Sequence, residues 1–257
     1  MDTTERFSDR VADYVRYRPS YPEGLVAALE ARHAWDPAKT VLADVGSGTG
    51  ISSRLFLERG YAVLGVEPNA DMRRAAERDL AAFPRFVSVD GTAEHTTLAA
   101  GSVDAVLAAQ AFHWFDPVRA RQEFARILRP AGVVVLLWNE RRVEGAFLEA
   151  YEAVLQELST DYGAVDHRNA QKHVASLFGE GGYQTLSAPN EQRFDRESFL
   201  GRALSSSYVP KQGHPKHEAM RAALERVFDA HARDGVVVFA YDAKAYFGPL
   251  QHAPRTT

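Results

Sequence analysis

The 257-residue sequence contains no cysteine. That absence removes a disulfide framework, a cysteine-ligated zinc site, an iron–sulfur cluster and a thiol nucleophile, and a reducing compartment is the simplest setting. Long apolar runs are also missing. Val133–Trp138 is among the strongest, far short of the roughly 20 residues that a membrane span requires. The opening Met1–Arg10 carries neither the basic nor the apolar segment of a secretory signal, so a soluble cytoplasmic protein is the expectation. Charge of one sign is scarce: 30 Lys and Arg against 34 Asp and Glu leave a net charge of −4. A general nucleic-acid binder would carry excess Lys and Arg on one face. Metal ligands are thin as well. Among nine histidines only His214 and His217 share a ligand-like spacing, with Glu218 the acid beside them, which argues against a zinc site.

What is present is ordinary globular composition, 46% hydrophobic and 25% charged, long enough to bury a core without cross-links. One domain over 1–257 is expected, in three parts: an N-terminal helical cap (1–35), a core (36–142), and C-terminal helices with the last strands (143–252). From Thr40 to Asn139 short apolar runs alternate with amphipathic stretches, the pattern of strands joined by crossover helices. Predicted strands are Val41–Val45, Ala62–Glu67, Arg85–Val89, Val103–Ala108 and Val133–Trp138, three of them nearly continuous in Val, Leu and Ala, as in a parallel sheet buried on both faces. Asp71–Phe83 and Pro117–Leu128 carry apolar stripes at helical spacing. The step Arg129-Pro130-Ala131-Gly132 is expected to stop the second of these helices and turn the chain into the next strand. Tyr183–Phe194 and Val236–Phe247 read as two further strands separated by a long helical excursion.

Ahead of the first strand, Phe7, Val11, Tyr14, Val15 and Arg18 fall at helical spacing. A rigid turn, Pro19-Ser20-Tyr21-Pro22, and a short helix, Glu23–Ala31, follow. The pattern suits either a cap over a site or a packing arm.

The sharpest signal is Val41–Gly50, VLADVGSGTG. An apolar strand runs into three glycines at alternate positions and then into a helix, Ile51–Glu58. Such glycines admit positive φ and close backbone approach, and the helix start offers unpaired N–H groups. A dinucleotide fingerprint places its third glycine three residues after the second; here that place holds Ile51. Asp44 precedes the first glycine by two residues. Its charge would repel a pyrophosphate and suit an ammonium or sulfonium. Glu67 closes the second strand 21 positions after Gly46, where a carboxylate can accept hydrogen bonds from a ribose diol.

With these residues in view, the sequence resembles the class I S-adenosylmethionine-dependent methyltransferases, in particular their type 11 group. Leu42–Gly50 is similar to the first motif of that family, and Val63–Asn69 to its acidic ribose motif. Gly91–Glu94 resembles the loop that borders the adenine. Ser102–Val106 and Gln110–Phe115 resemble the strand and lip of the methyl-transfer site, and Leu128–Gly132 the turn before the fifth strand. The resemblance implies a Rossmann-like α/β fold with a seven-stranded, mostly parallel sheet, its last strand antiparallel, and helices on both faces. It implies S-adenosyl-L-methionine as cofactor. Asp44 and the backbone of Gly46, Ser47, Gly48, Thr49 and Gly50 would hold the methionine portion. Glu67 would take the ribose, Pro68 and Met72 would lie near the adenine, and Thr92 and Ala93 would border its edge. Many relatives carry Asp where this chain has Thr92, whose hydroxyl is a weaker acceptor. Tyr14 and Tyr17–Pro22 are similar to a stretch that closes the pocket in trans-aconitate-type methyltransferases.

Methyl transfer from a sulfonium mainly requires positioning and desolvation of the nucleophile. His113, after the fourth strand, is the candidate general base, or else part of the pocket wall. Gln110 is placed to orient cofactor or acceptor. Trp114 and Phe115 belong to the acceptor pocket or to the core. Tyr14, Arg18, Tyr21, His113, Trp114 and Arg141 form the candidate acceptor set. Arg18 and Arg141 would clamp a carboxylate if they face the pocket, and would otherwise be surface arginines. The expected partner is a small-molecule acceptor, with no nucleic acid and no membrane, acting on a monomer or weak homodimer. A nicotinamide-dependent oxidoreductase and a non-catalytic cofactor-binding module stand as alternatives.

Overall fold

The computed structural model describes residues 18–160, 162, 170–179, 182–206 and 208–250. The helix and aromatic residues expected at 7–17, Tyr14 included, lie outside them. Seven strands form one sheet among the described residues: β1 (Val41–Val45), β2 (Ala62–Val66), β3 (Phe86–Val89), β4 (Val103–Ala109), β5 (Leu128–Arg141), β6 (Gln184–Phe194) and β7 (Val237–Gly248). Their order is β3-β2-β1-β4-β5-β7-β6. β7 runs antiparallel to both β5 and β6, while the first five strands pair in parallel. The order reverses between β1 and β4, and in open α/β sheets ligands bind beyond the strand ends at such a switch point.

The helices are α1 (Glu23–His33), α2 (Ile51–Leu57), α3 (Ala70–Asp79), α4 (Pro117–Ile127), α5 (Ala146–Leu158), α6 (Ala170–Phe178), α7 (Arg196–Leu204) and α8 (His217–His231). Alternation along the strands sorts the side chains between two cores. Leu42, Leu107, Val135 and Leu137 face one side, where Leu25, Val26 and Leu29 of α1, Phe56 of α2 and Leu80 after α3 pack on them. Ala43, Val106, Val134, Leu136 and Trp138 face the other, under Phe124 and Ile127 of α4 and Leu177 of α6. A third cluster joins α5, α7 and α8 to the inner ends of β6 and β7 through Leu155, Phe199, Leu224 and Phe239.

Most element ends fall within one or two residues of the sequence reading, and the largest departures are at β5 and α3. The Arg129–Gly132 step does not precede β5 but lies within it: Val103 pairs with Leu128 and Ala105 with Val133, so the step bulges out of the ladder. Ala131 takes φ 67° to make the bend. Helix α3 stops at Asp79 rather than Phe83, because Leu80 leaves the helical conformation at φ −106° and ψ 8°. Caps fix two helix starts that bear on the site. The Asn69 side chain accepts the N–H groups of Asp71 and Met72, and Asp116 does the same for Val118 and Arg119 ahead of Pro117.

Candidate functional site

Two cavities open at the switch point. One, about 450 Å³, lies between the glycine loop and the ends of β2 and β4. The other, about 230 Å³, lies between the glycine loop, the 18–21 segment and the C-terminal helices. Gly46, Gly48, Ala109 and Gln110 line both.

The three loop glycines have different reasons to be glycine. Gly46 (φ 69°) donates its N–H to Val66 O at 2.8 Å, and a Cβ there would stand 2.7 Å from the Ala111 Cβ. Gly50 (φ 83°) is pressed against Leu80, with 2.6 Å from a Cβ to Cδ1, and lines neither cavity. Gly48 (φ 57°) has nothing within 4 Å of its Cβ position. A side chain there would fill the cavity rather than strike the protein.

Glu67 faces the larger cavity with Pro68, Met72, Thr92 and Ala93. Its Oε2 accepts the Gly48 N–H at 3.0 Å and its Oε1 the Asn69 N–H at 2.9 Å. Each oxygen keeps a second lone pair for a ligand hydroxyl. Burial pushes this carboxyl above its ordinary pKa, against the opposing backbone donors and Arg73. Arg73 also binds the carbonyls of Glu67 and Pro68 at 2.7 and 2.8 Å, holding the turn. Thr92 closes a one-residue bridge with His95, whose N–H it accepts at Oγ1, 3.1 Å away.

Asp44 is fully buried and lines neither cavity. Ser52 and Ser53 donate to its Oδ2 at 2.7 and 2.6 Å, and its Oδ1 has no partner. Burial raises its pKa against those hydroxyl bonds. Ser52 does line the smaller cavity, as do Ser47 and Thr49; the buried Thr49 hydroxyl also lacks a partner.

The smaller cavity takes Arg18, Tyr21 and Arg141 from the sequence reading. Tyr21 is anchored by donation to Leu137 O at 3.2 Å. Arg141 is ion-paired with Glu152, bonds the Tyr162 hydroxyl at 3.0 Å, and lies 5.0 Å over the Tyr151 ring. Burial pushes Glu152 up, but donors on Tyr162, Arg141 and Gln156 outweigh it and hold the carboxyl below its ordinary value. His113 lies in the single turn Phe112–Trp114, beside the Trp114 ring, and lines neither cavity. Trp114 and Phe115 stand on the larger cavity, not the smaller.

Gln110 sits on the border at φ 52°, uncommon for a residue with a side chain. Its amide donates to Asn139 O at 3.2 Å. Asn139 and Asn190 bind each other and both reach Ser20 O, tying the N-terminal strap to β5 and β6. Sequence reasoning missed Asn139, Glu152, Tyr162, Arg202, Tyr208 and Tyr241 on the smaller cavity and Arg119 on the larger, and it reached Asn69 and Glu94 only as the ends of the ribose and adenine stretches. Arg202 had a legible signal: it shares the buried stripe of α7 with Phe199 and Ala203, an unusual place for a cation. No group of three acidic or histidine side chains able to hold a metal occurs among the described residues, nor does a helix long and apolar enough to cross a membrane.

A doubly wound sheet with a glycine cradle and an acidic strand end at its switch point is the arrangement with which α/β proteins bind nucleotide cofactors. Comparison with known proteins narrows the class. Residues 43–136 match the family described as "Methyltransferase domain". An uncharacterized methyltransferase of Mycobacterium tuberculosis is 45% identical over 141 residues, 54% of this chain and 54% of the relative, so the match spans about half of each. An uncharacterized methyltransferase-like protein of Schizosaccharomyces pombe is 31% identical over 223 residues, 86% of this chain and 85% of the relative. A solved structure from Anaeromyxobacter dehalogenans, provisionally assigned as a type II methyltransferase, superposes with a TM-score of 0.65 at 24% identity, over 92% of this chain and 100% of that one; at that identity it attests the fold. The chain belongs to the class I S-adenosylmethionine-dependent methyltransferases, in their type 11 group.

The residues present fit an adenosyl sulfonium. The open side of Gly48, the carboxylate of Glu67 and the apolar Met72 suit an adenosine. Ser47, Thr49 and Ser52 on the smaller cavity, with the Thr49 hydroxyl unpartnered, leave polar capacity at the loop for an amino-acid tail, and Asp44 stands behind them, bonded to Ser52.

Proposed function

We propose that this protein transfers a methyl group from S-adenosyl-L-methionine to a small organic acceptor that carries a carboxylate. One observation carries the reading: two cavities of different chemistry meet at Gly46, Gly48, Ala109 and Gln110. When bound, the cofactor supplies a methyl group already activated on a sulfonium. The protein's own part is then to hold, align and dehydrate. Glu67 would bind the ribose hydroxyls, with Pro68, Met72 and Trp114 as apolar walls. The Ser47–Ser52 stretch, with Asp44 behind it, would receive the amino-acid tail. Gln110, held by Asn139, would set the border across which the methyl passes. The acceptor would occupy the part of the smaller cavity away from the glycine loop, under Tyr21, where Arg18, Arg141 and Arg202 form a basic wall that supports an anion.

A carboxylate is deprotonated at neutral pH and needs no general base. That agrees with His113 lying off both cavity walls. The reading carries with it a small-molecule partner and a monomer or weak homodimer. It is tested by a screen with methyl-labelled cofactor over carboxylates, phenols and amines. Label in carboxylates supports it, and label confined to amines or phenols lacking a carboxylate contradicts it.

A further inference from the structure

The arginines on the smaller cavity are not equivalent. Arg141 is already neutralised: Glu152 pairs with it, and Glu152 is further held by Tyr162 at 2.6 Å and Gln156 at 3.1 Å. The other acid on the wall, Glu140, is taken by Lys244 at 2.6 Å and by the Tyr246 hydroxyl at 2.9 Å. Arg202 differs. It is 7% exposed and lines the cavity. Its Nη1 donates to the Ser206 hydroxyl at 3.2 Å, and its Nε has no partner. No ion pair joins it to an acid among the described residues. Burial opposes its charge, and the groups around it are the hydroxyls of Tyr241, Tyr151 and Tyr208, with Tyr241 hydrogen-bonded to it; these are dipoles and carry no negative charge at neutral pH. A buried cation without a counter-ion costs several kcal/mol unless a ligand supplies the missing charge.

We propose that Arg202 is the seat for the acceptor's anionic group, with Tyr208 and Tyr241 as its walls, and that Arg141 serves the acceptor only through its spare Nη1 hydrogen bond. Arg202 is absent from the four residues shared by the two cavities. The anchored carboxylate is therefore distinct from the methyl-accepting atom, and the acceptor is bifunctional: an anion at one end and a nucleophile at the other, such as a dicarboxylate. This rests on the methyltransferase reading for what the second group does, but the seat itself is tested without turnover.

The test is calorimetric titration of the protein, with and without saturating S-adenosylhomocysteine, by succinate, glutarate and phenylacetate, each beside its amide. At least one carboxylate is expected to bind and its amide not to. Arg202→Gln should weaken that carboxylate at least about tenfold and leave the S-adenosylhomocysteine affinity within about twofold. Arg141→Gln should weaken it less. Unchanged carboxylate binding in Arg202→Gln, equal binding of amides, or no binding by any carboxylate of the panel overturns the proposal. So does loss of S-adenosylhomocysteine binding in a folded Arg202→Gln protein, which would give the seat to the cofactor's own carboxylate. Should that variant not fold, Arg202→Lys decides. It keeps the charge but loses the planar fork, so at least about a threefold loss supports the seat and equal affinity refutes it. Wild-type protein that binds the carboxylate but neither binds S-adenosylhomocysteine nor transfers methyl refutes the methyltransferase reading and leaves the seat standing.

Discussion

The two cavities are built by different means. The larger one is framed by backbone, with positive-φ glycines, a strand end and two capped helix starts, and its lining comes from short local stretches at β1–α2, β2–α3, the loop after β3 and the end of β4. The smaller one is made of long side chains delivered from far apart, with Arg18, Arg141, Glu152, Arg202 and Tyr241 converging on one space. The contrast shows how one fold can keep a cofactor while changing its acceptor. A backbone cradle is fixed by the fold, whereas a wall of arginines and tyrosines can be rewritten one side chain at a time.

Substitutions should therefore fail in opposite ways on the two sides. The largest effect is expected from Arg141→Gln, which leaves Glu152 buried with its cation gone. Stability should fall by about 3 kcal/mol, read by urea unfolding, while S-adenosylhomocysteine affinity holds in the folded fraction. Unchanged stability would mean that the pair is not structural. Gly48→Val should do the reverse. It should weaken S-adenosylhomocysteine at least about a hundredfold, equivalent to ~2.7 kcal/mol, at a backbone cost of about 1–2 kcal/mol. Near-normal affinity by calorimetry would remove Gly48 from the cofactor wall.

Glu123 sharpens the comparison from beneath the larger cavity. It binds Arg126 and both the N–H and hydroxyl of Thr96, after the Thr92–Glu94 wall. The Arg126 hydrogen bond and those from Thr96 outweigh burial and hold its carboxyl at about 2. A depressed folded-state pKa contributes stability above the ordinary 4.5 that is lost as pH falls toward 2. Glu123→Gln should then cost about 2 kcal/mol at pH 7, with the difference from wild type closing in acid. A gap independent of pH would refute the assignment. The smallest effect is expected at His113. His113→Ala should change turnover of any identified acceptor less than about twofold and leave its pH profile intact. Loss of an inflection near the ordinary histidine pKa would restore it as a base.

The same contrast explains what the sequence disclosed. The loop Val41–Gly50 and the β2 end at Glu67 were legible because their conformation is written in adjacent residues, and β1 runs Val41–Val45 as read. β5 begins five residues earlier than read, because a bulge hides Arg129–Gly132 inside the ladder, and bulges depend on the partner strand. The smaller cavity was half legible. Arg141 was placed by the strand end it follows, but its neutralisation depends on Glu152 from α5, and Arg202 depends on α7 docking against β7. Such pairings are settled by tertiary contact, which local pattern does not encode. Trp114 went to the larger cavity through a local feature that was not read, the single turn Phe112–Trp114 after β4.

The most direct trial of the central claim is calorimetry of the wild-type protein with S-adenosylhomocysteine and, separately, with NAD and NADP. The account predicts saturable micromolar binding of the first, abolished by Gly48→Val, and no heat from the nicotinamide nucleotides. Tight nicotinamide binding by folded protein that ignores S-adenosylhomocysteine would contradict it.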